Sequence, residues 1–302
     1  MDITRRQALV GALAMPAILK FPGRALAAQT LKISHQFPGG TIEQGDFRDR
    51  LVRVFAREVA KRTKDALAFE IFPNSSLMKT NAQFSAMRKG GLDLSLYPIA
   101  YAGGEVHACN LGLMPCLVDN YEQAAKWKSA PIGKAFEKIV EDKGIKIVAW
   151  VWQAGGVASR SKPITVPDDV KGLKIRGGSR DMDLMFAAAG AQVSTMPSNE
   201  IYIGMQTGAL DGAVTSSTSL VSFRLEELAK SLTAPKGKSF WFMLEPLLMS
   251  KAIFDSLPAD QQKAIMEVGA EVEAFGQAEA MKDDDKVREV YGAKGAQVVT
   301  LD

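Results

Sequence analysis

Short apolar runs of strand type alternate with amphipathic helical segments along most of the chain. Residues 31–34, 66–72 and 92–97 have strand-type composition, and residues 47–61 place apolar side chains at helical spacing between the first two runs. The second half repeats this alternation from residue 172 onward. Such alternation predicts α/β layers built on mixed, mostly parallel sheets, and 302 residues are enough for two lobes with cores of their own.

Several segments of the second half have particular expectations. Residues 145–152 and 241–249 are each predicted to form one buried strand, and residues 221–230 are predicted to form a helix. A long helix is expected to begin after Leu257 and to run past Ala280. The acidic run 283–285 falls on that helix, where a solvated face is the usual role of such a run.

An internal echo indicates that the two halves resemble each other. Residues 87–96 and 205–214 both contain a helix end, a glycine, a Leu-Asp pair and a buried strand. Tyr97 and Thr215 follow these strands at the same place. Because ligands of open α/β sheets bind beyond the carboxyl ends of strands, both side chains are expected to face one shared cleft.

The first 27 residues have the order of an export signal. Arg5 and Arg6 precede an apolar run over residues 8–19, and Ala25 and Ala27 form a small-x-small cleavage site near Ala27. The arginine pair is similar to a twin-arginine address, and the run is short for the alternative, a membrane anchor. The segment holds four of the 37 basic and one of the 34 acidic residues, so the mature chain is nearly neutral and nucleic-acid binding is not expected.

Catalytic and metal-binding motifs are missing from the sequence. It contains no G-x-S-x-G, no H-E-x-x-H and no G-x-G-x-x-G after a strand. His35 and His107 are its only histidines, and Cys109 and Cys116 its only cysteines. We therefore expect neither an enzyme, nor a cofactor, nor a metal site. For the cysteines a disulfide in an exported protein and two buried thiols both remain open.

Arg176 is the principal candidate for binding a ligand. It ends a predicted strand and precedes two glycines, and its planar guanidinium matches a carboxylate in two hydrogen bonds. The alternative is a surface arginine on an edge strand. Aromatic and polar side chains near strand ends could complete an apolar box with a few orienting groups, although core packing is the usual role of such aromatics. These further candidates are Gln36, His35, Tyr97, Trp152, Gln153, Thr215, Ser216, Ser217, Trp241 and Glu245.

Glu245 is the unusual member of this set because it lies in an apolar run. A buried carboxylate needs a partner, so an arginine, a ligand hydroxyl or a cation is expected beside it.

The motifs of the second half resemble those of a known family. Residues 170–176 read VKGLKIR, residues 200–202 read EIY, and residues 206–212 read QTGALDG. Together with Ala189-Gly190-Ala191 and Met196-Pro197, this order resembles the DctP-type solute-binding proteins of tripartite ATP-independent periplasmic (TRAP) transporters. Arg176 matches the family arginine that grips the ligand carboxylate. The place of a second arginine found in some members falls near Gly156, with Arg160 close by.

The resemblance implies a two-lobed periplasmic-binding-protein-like fold with a long helix spanning both lobes. We expect one lobe from residues 28–153 plus about 242–281, and the other from residues 154–241 plus 282–302. The implied function is capture of a small organic carboxylate (an aromatic, 2-keto, hydroxy or sugar acid) by a monomer in the periplasm, and its delivery to TRAP permease subunits. The alternatives are a sensor module that presents the ligand and a periplasmic enzyme that uses His35 or Glu245.

Overall fold

A computed structural model describes residues 29–301, so the predicted export signal lies outside the described residues. The strands are β1 Gln29–Ser34, β2 Leu67–Phe72, β3 Leu94–Leu96, β4 Ile145–Ala149, β5 Trp152–Ser159, β6 Lys174–Arg176, β7 Gln192–Ser194, β8 Gly212–Ser216, β9 Ser231–Ala234, β10 Phe242–Leu244, β11 Leu247–Ser250 and β12 Gln297–Thr300. The α-helices are α1 Phe47–Arg62, α2 Thr80–Arg88, α3 Tyr121–Trp127, α4 Pro131–Asp142, α5 Arg180–Ala188, α6 Ile201–Gln206, α7 Ser217–Ser222, α8 Lys251–Ser256 and α9 Ala259–Ala293.

These strands form two sheets. The first has the order β2-β1-β3-β11-β4, and the second has the order β12-β9-β5-β8-β6-β7 with β10 paired to β5. Within residues 29–301, five strand pairs are parallel and five are antiparallel. The mixed sheets are confirmed, but "mostly parallel" is wrong, because β5, β10 and β11 run against their neighbours.

The antiparallel strands belong to the two places where the chain passes between sheets. The chain leaves the first sheet at β4 and enters the second at β5, and it returns from β10 to β11. The single strands predicted for residues 145–152 and 241–249 are therefore each divided in two. Between β10 and β11, Pro246 has no N–H to donate to a ladder, while Glu245 N still donates to Val151 O at 2.8 Å.

The long helix expected after Leu257 is confirmed as α9, which has 35 residues and begins directly after Pro258. It packs against α1 and β4 of the first half, and against β5, β9 and β12 of the second sheet. A glycine of α9 lets the helix pack closely against β4, because a Cβ on Gly269 would lie 2.2 Å from Val148 O.

The helix predicted for residues 221–230 is wrong in position. The Ser216 hydroxyl accepts a hydrogen bond from Ser219 N at 3.2 Å and caps α7, so the helix begins earlier and ends at Ser222. Arg224 then adopts a left-handed conformation with φ 58°, and a short 3-10 turn precedes β9.

The acidic run of α9 is only partly solvated, which corrects the expectation for residues 283–285. Asp285 is exposed, but Asp284 accepts hydrogen bonds from the hydroxyls of Ser217 and Tyr121, and Asp283 accepts one from Thr218 at 2.7 Å. Burial raises the pKa of Asp284 to about 6, although the two hydroxyls counteract part of that increase.

Asp284→Asn should flatten the pH dependence of stability. A carboxyl whose folded pKa exceeds its unfolded value favours the fold at low pH, and this contribution is lost as the pH rises from about 4 through about 6. Relative to the asparagine variant, the native protein should lose up to about 3 kcal/mol of unfolding free energy over that interval. Urea unfolding at a series of pH values measures the difference, and parallel curves for the two proteins would contradict it.

The internal echo corresponds to matching local structure. Asp93 precedes β3 and accepts a hydrogen bond from Lys32 N of the neighbouring β1 at 2.6 Å. Asp211 precedes β8 and accepts one from Lys174 N of the neighbouring β6 at 2.9 Å. Each aspartate thus ties the start of its strand to the next parallel strand, which explains why the Leu-Asp pair recurs.

Within residues 29–301, no helix is both long enough and apolar enough to cross a membrane. Cys109 is buried, Cys116 is exposed, and both are free thiols, so the structure contains no disulfide between them.

Candidate functional site

The candidate site lies where the carboxyl ends of strands from the two sheets face each other. Arg176 ends β6, and Thr215 and Ser216 end the adjacent parallel strand β8. From the first sheet, Tyr97 follows β3 and its ring contacts that of Tyr101, with centroids 5.9 Å apart. The Tyr101 hydroxyl lies 2.7 Å from Arg176 Nη2, so this contact joins the two sets of strand ends.

Arg176 is a buried cation, with 2% of its surface exposed. Nε donates to Met196 O at 2.9 Å, and Nη1 donates to Val214 O at 2.7 Å. The alternative of a surface arginine on an edge strand is wrong, because β6 lies between β8 and β7. Among residues 29–301, no carboxylate lies within ion-pair distance of it, and a guanidinium has five N–H donors, of which three are used.

A glycine leaves room beside this guanidinium. Gly178 has φ 96°, and a Cβ there would lie 2.5 Å from Arg176 Nη1. A cavity of about 340 Å³ adjoins Gly178, and its wall also includes Tyr101, Ser179 and Met196. A small guest could therefore approach the fork from this side.

Tyr101 is one of the aromatic residues near strand ends that the sequence offered for an apolar box, but its contact with Arg176 was not predicted. Its hydroxyl accepts hydrogen bonds from Arg176 Nη2 and from Ser198 N, the latter at 3.1 Å, so its own proton remains available to a guest. The one available signal was its position four residues after Tyr97, just beyond a strand end. Only the helical turn over Ile99–Gly104 turns its side chain toward Arg176.

Many of the other predicted residues carry buried polar atoms that have no hydrogen-bond partner within the described chain. Buried polar groups are almost always satisfied, so these atoms are open to ordered water or to a polar guest. The atoms are both ring nitrogens of His35, although Nε2 lies 3.2 Å from Asp49 Oδ1, and Gln36 Nε2, Trp152 Nε1, Gln153 Oε1, Thr215 Oγ1, Trp241 Nε1 and Glu245 Oε1.

Register and close packing hold several of these residues near one another. Gln153 lies opposite Met243 in the β5–β10 pair, and Thr215 lies opposite Gly156 in the β5–β8 pair. A Cβ on Gly155 would lie 2.3 Å from both Trp241 Cη2 and Thr215 O, so a glycine is required for the indole to lie against this strand. Trp152 instead packs edge-on against Trp127, with centroids 5.2 Å apart.

Glu245 has the arginine partner that its apolar setting required. Arg48 of α1 is fully buried and donates to Glu245 Oε2 at 3.3 Å and to Asp46 Oδ2 at 2.7 Å. Burial raises the pKa of Glu245 despite the attraction of Arg48. Burial also opposes ionisation of Asp46, but Arg48 outweighs it and the pKa of that carboxyl is lowered.

The same arginine joins the two halves of the site. Arg48 Nη1 donates to Ser219 Oγ at 2.9 Å and to Ser216 Oγ at 3.3 Å, so a residue of the first half contacts the turn that follows β8. The hydroxyls of Ser216 and Ser217 are therefore already engaged, the latter by Asp284. Their predicted role as direct ligand contacts remains a prediction.

A glycine, Gly156, occupies the place of the second arginine that some family members have, so this place carries no charged side chain. Gly156 lies in the middle of β5, where a Cβ would lie 2.4 Å from Thr233 O, and Arg160 is exposed. Within the part of the chain that the structure describes, no group of three or more histidine, cysteine or acidic residues could hold a metal ion.

Comparison with known proteins places this chain in a family. The family described as "Bacterial extracellular solute-binding protein, family 7" (DctP) matches residues 41–302. A solute-binding protein of Albidiferax ferrireducens is 60% identical over 98% of this chain and 88% of its own length. The C4-dicarboxylate-binding periplasmic protein DctP of Rhodobacter capsulatus is 27% identical over 94% of this chain and 84% of its own length.

A solved structure agrees with these sequence matches. The TRAP periplasmic solute-binding protein of Rhodoferax ferrireducens, with bound malonate, is 62% identical and superposes with a TM-score of 0.89 over 90% of this chain and 86% of its own. The two-sheet architecture and the long helix described above are thus those of a solved TRAP binding protein. The chain belongs to the DctP family of bacterial extracellular solute-binding proteins, as its motifs predicted.

Proposed function

We propose that this protein captures a small organic carboxylate between its two sheets, with Arg176 holding the acid group, and delivers it to TRAP permease subunits. The observation that carries the proposal is a buried guanidinium that has spare donors and no carboxylate partner in residues 29–301. Asp183 attracts Arg176 only from beyond ion-pair distance, so an anionic guest would supply the direct partner that this buried charge lacks. The relative that binds malonate supports an acid of this size.

We place the capture step in the periplasm, after removal of the export signal at residues 1–27. The lobes proposed are residues 28–153 plus about 242–281, and residues 154–241 plus 282–302. They would close around the guest in proportion to its preference for the closed form.

We further propose that the site binds without chemistry. An enzyme would use His35 or Glu245, but Glu245 is engaged by Arg48 and Gln153, and His35 lies beside Asp49. A guest incubated with the protein should be recovered unchanged by NMR.

Carboxylates that fit the site should raise the melting temperature. A ligand that binds only the folded state adds about 2.7 kcal/mol of stability at a hundred times its Kd. A thermal-shift panel should compare malonate, 2-keto, hydroxy, aromatic and sugar acids with their uncharged amides as matched controls. Shifts from acids alone would support the proposal, and equal shifts from acids and amides, or none from any acid, would reject it.

A further inference from the structure

A hydroxyl and a carboxylate from different halves of the fold form a hydrogen bond beside the strands that cross between the sheets. The Tyr121 hydroxyl donates to Asp284 Oδ2 at 2.8 Å, although the two residues are 163 positions apart. Tyr121 begins α3, which packs against α4, and α4 packs against β4 of the first sheet. Asp284 lies on α9 and also accepts a hydrogen bond from the hydroxyl of Ser217, the first residue of α7. The two hydroxyls therefore link α3 of the first half to α7 of the second half through one carboxylate.

The side chain of Tyr121 is also fixed on the crossing strands themselves. Its hydroxyl accepts a hydrogen bond from Ala154 N of β5 at 3.3 Å. Its ring packs edge-on against Phe242 of β10, with centroids 4.9 Å apart. Ala154 and Phe242 lie opposite each other in the β5–β10 pair, where the chain enters and leaves the second sheet. One tyrosine thus contacts both crossing strands and the long helix.

The length of the bond between Tyr121 and Asp284 depends on the angle between the two sheets. A rotation about the crossing strands would move α3 relative to α7, and a hydrogen bond that lengthens by about 1 Å is lost. In this structure the bond occurs together with the contact of Tyr101 with Arg176 at 2.7 Å, which joins the strand ends of the two sheets. Neither Tyr121 nor Asp284 lines the cavity beside Gly178, so they act away from the place proposed for the guest.

We infer that the hydrogen bond between Tyr121 and Asp284 is a conformational latch, which stabilises the arrangement of the sheets in which Tyr101 contacts Arg176, with or without a guest. Tyr121 is then a positioning residue that raises the affinity for a guest it does not touch. The inference rests on the proposed function, because the sheets must close around an acid for the latch to affect its binding. Every guest should gain by the same factor, since a larger population of the binding-competent form scales all affinities alike.

Tyr121→Phe tests the latch, because it keeps the ring against Phe242 and removes the hydroxyl. The variant should weaken malonate and a second acid from the thermal-shift panel by the same factor, about 5- to 30-fold in Kd, because a hydrogen bond to a charged acceptor is lost from the closed arrangement only. Calorimetric titration of both guests measures the two ratios. Asp284→Asn replaces the carboxylate by a neutral and weaker acceptor, and it should weaken both guests in the same way but by less.

Spin labels report the angle between the sheets in the guest-free protein. β2 and β7 are edge strands of the first and the second sheet, and Glu70 of β2 and Gln192 of β7 are exposed. Labels attached through Glu70→Cys and Gln192→Cys, with Cys116→Ser to remove the exposed native thiol, measure the distance between these strands. In Tyr121→Phe the distance distribution should shift toward the longer distances of the open form.

Thr218→Val is the matched control. The Thr218 hydroxyl donates to Asp283 Oδ2 at 2.7 Å, but this bond joins α7 to α9 within the second half. The variant should lower the melting temperature, as Tyr121→Phe does, while Kd stays within about twofold of the native value and the label distances stay unchanged. Unchanged distances in Tyr121→Phe, equal shifts in both variants, or losses of affinity that differ between guests would overturn the inference. Failure of the native protein to bind any acid would instead overturn the proposed function, and the guest-free label distances would still decide on the latch.

Discussion

Arg176→Met is expected to weaken binding of any carboxylate guest by about 2–4 kcal/mol, or roughly 30- to 1000-fold in Kd. Methionine fills similar volume but offers no donor, so the acid group of the guest would be buried without its counter-charge. Calorimetric titration of the best guest from the thermal-shift panel measures the loss. The free variant should stay folded, because within residues 29–301 Arg176 forms no direct ion pair to break, and Asp183 loses only a more distant attraction.

Arg160→Met is the matched control. This arginine directly follows β5, is exposed, and is the arginine that lies near the place of the second family arginine implied by the resemblance. Its removal should change Kd by less than about twofold, because exposed charges contribute little. A large loss of affinity in Arg160→Met together with unchanged affinity in Arg176→Met would mean that the acid group of the guest does not bind at the end of β6.

Arg48→Met is expected to lower the free energy of unfolding by about 3–5 kcal/mol, the scale for breaking a buried ion pair from one side. Asp46 and Glu245 would both remain buried without a cation, and the hydroxyls of Ser216 and Ser219 would lose a donor. Chemical unfolding at neutral pH measures the change. Arg57→Met on the same helix is the control, since its side chain is 55% exposed and its loss should cost less than about 0.5 kcal/mol.

A second variant distinguishes charge from packing. Adding Glu245→Gln to Arg48→Met removes one of the two stranded carboxylates, so the double variant should be more stable than Arg48→Met alone. Equal stability of the two would mean that lost packing, rather than uncompensated charge, dominates. An unfolding free energy for Arg48→Met within 0.5 kcal/mol of the native value, a threshold set by the usual scale of surface substitutions, would contradict the network altogether.

The alternation of strands and helices could be predicted from the sequence, because the spacing of apolar residues reflects which side chains are buried. It located β6 and the fork of Arg176 because the strand and its glycines are local signals. It placed the helix after β8 too late, because the Ser216 hydroxyl decides where α7 begins. It also merged β10 with β11, since both are buried and only the crossing between sheets separates them.

The partners within the site could not be predicted in the same way. Arg48 and Glu245 are 197 positions apart, and Tyr101 and Arg176 are 75 apart, so their contacts depend on the tertiary fold. The need of Glu245 for a partner was visible from its apolar neighbours, whereas the identity of that partner was not. The same limit applies to Asp283 and Asp284, whose burial depends on where α7 meets α9.

The continuous helix α9 restricts how the molecule can deform. At 1.5 Å per residue its 35 residues are about 52 Å long, and intact backbone hydrogen bonds prevent it from lengthening. Since it is anchored on β4 and on β12, the two sheets cannot slide apart along its axis. A movement that changed the angle between the sheets would therefore have to bend α9 or break its packing on one of them.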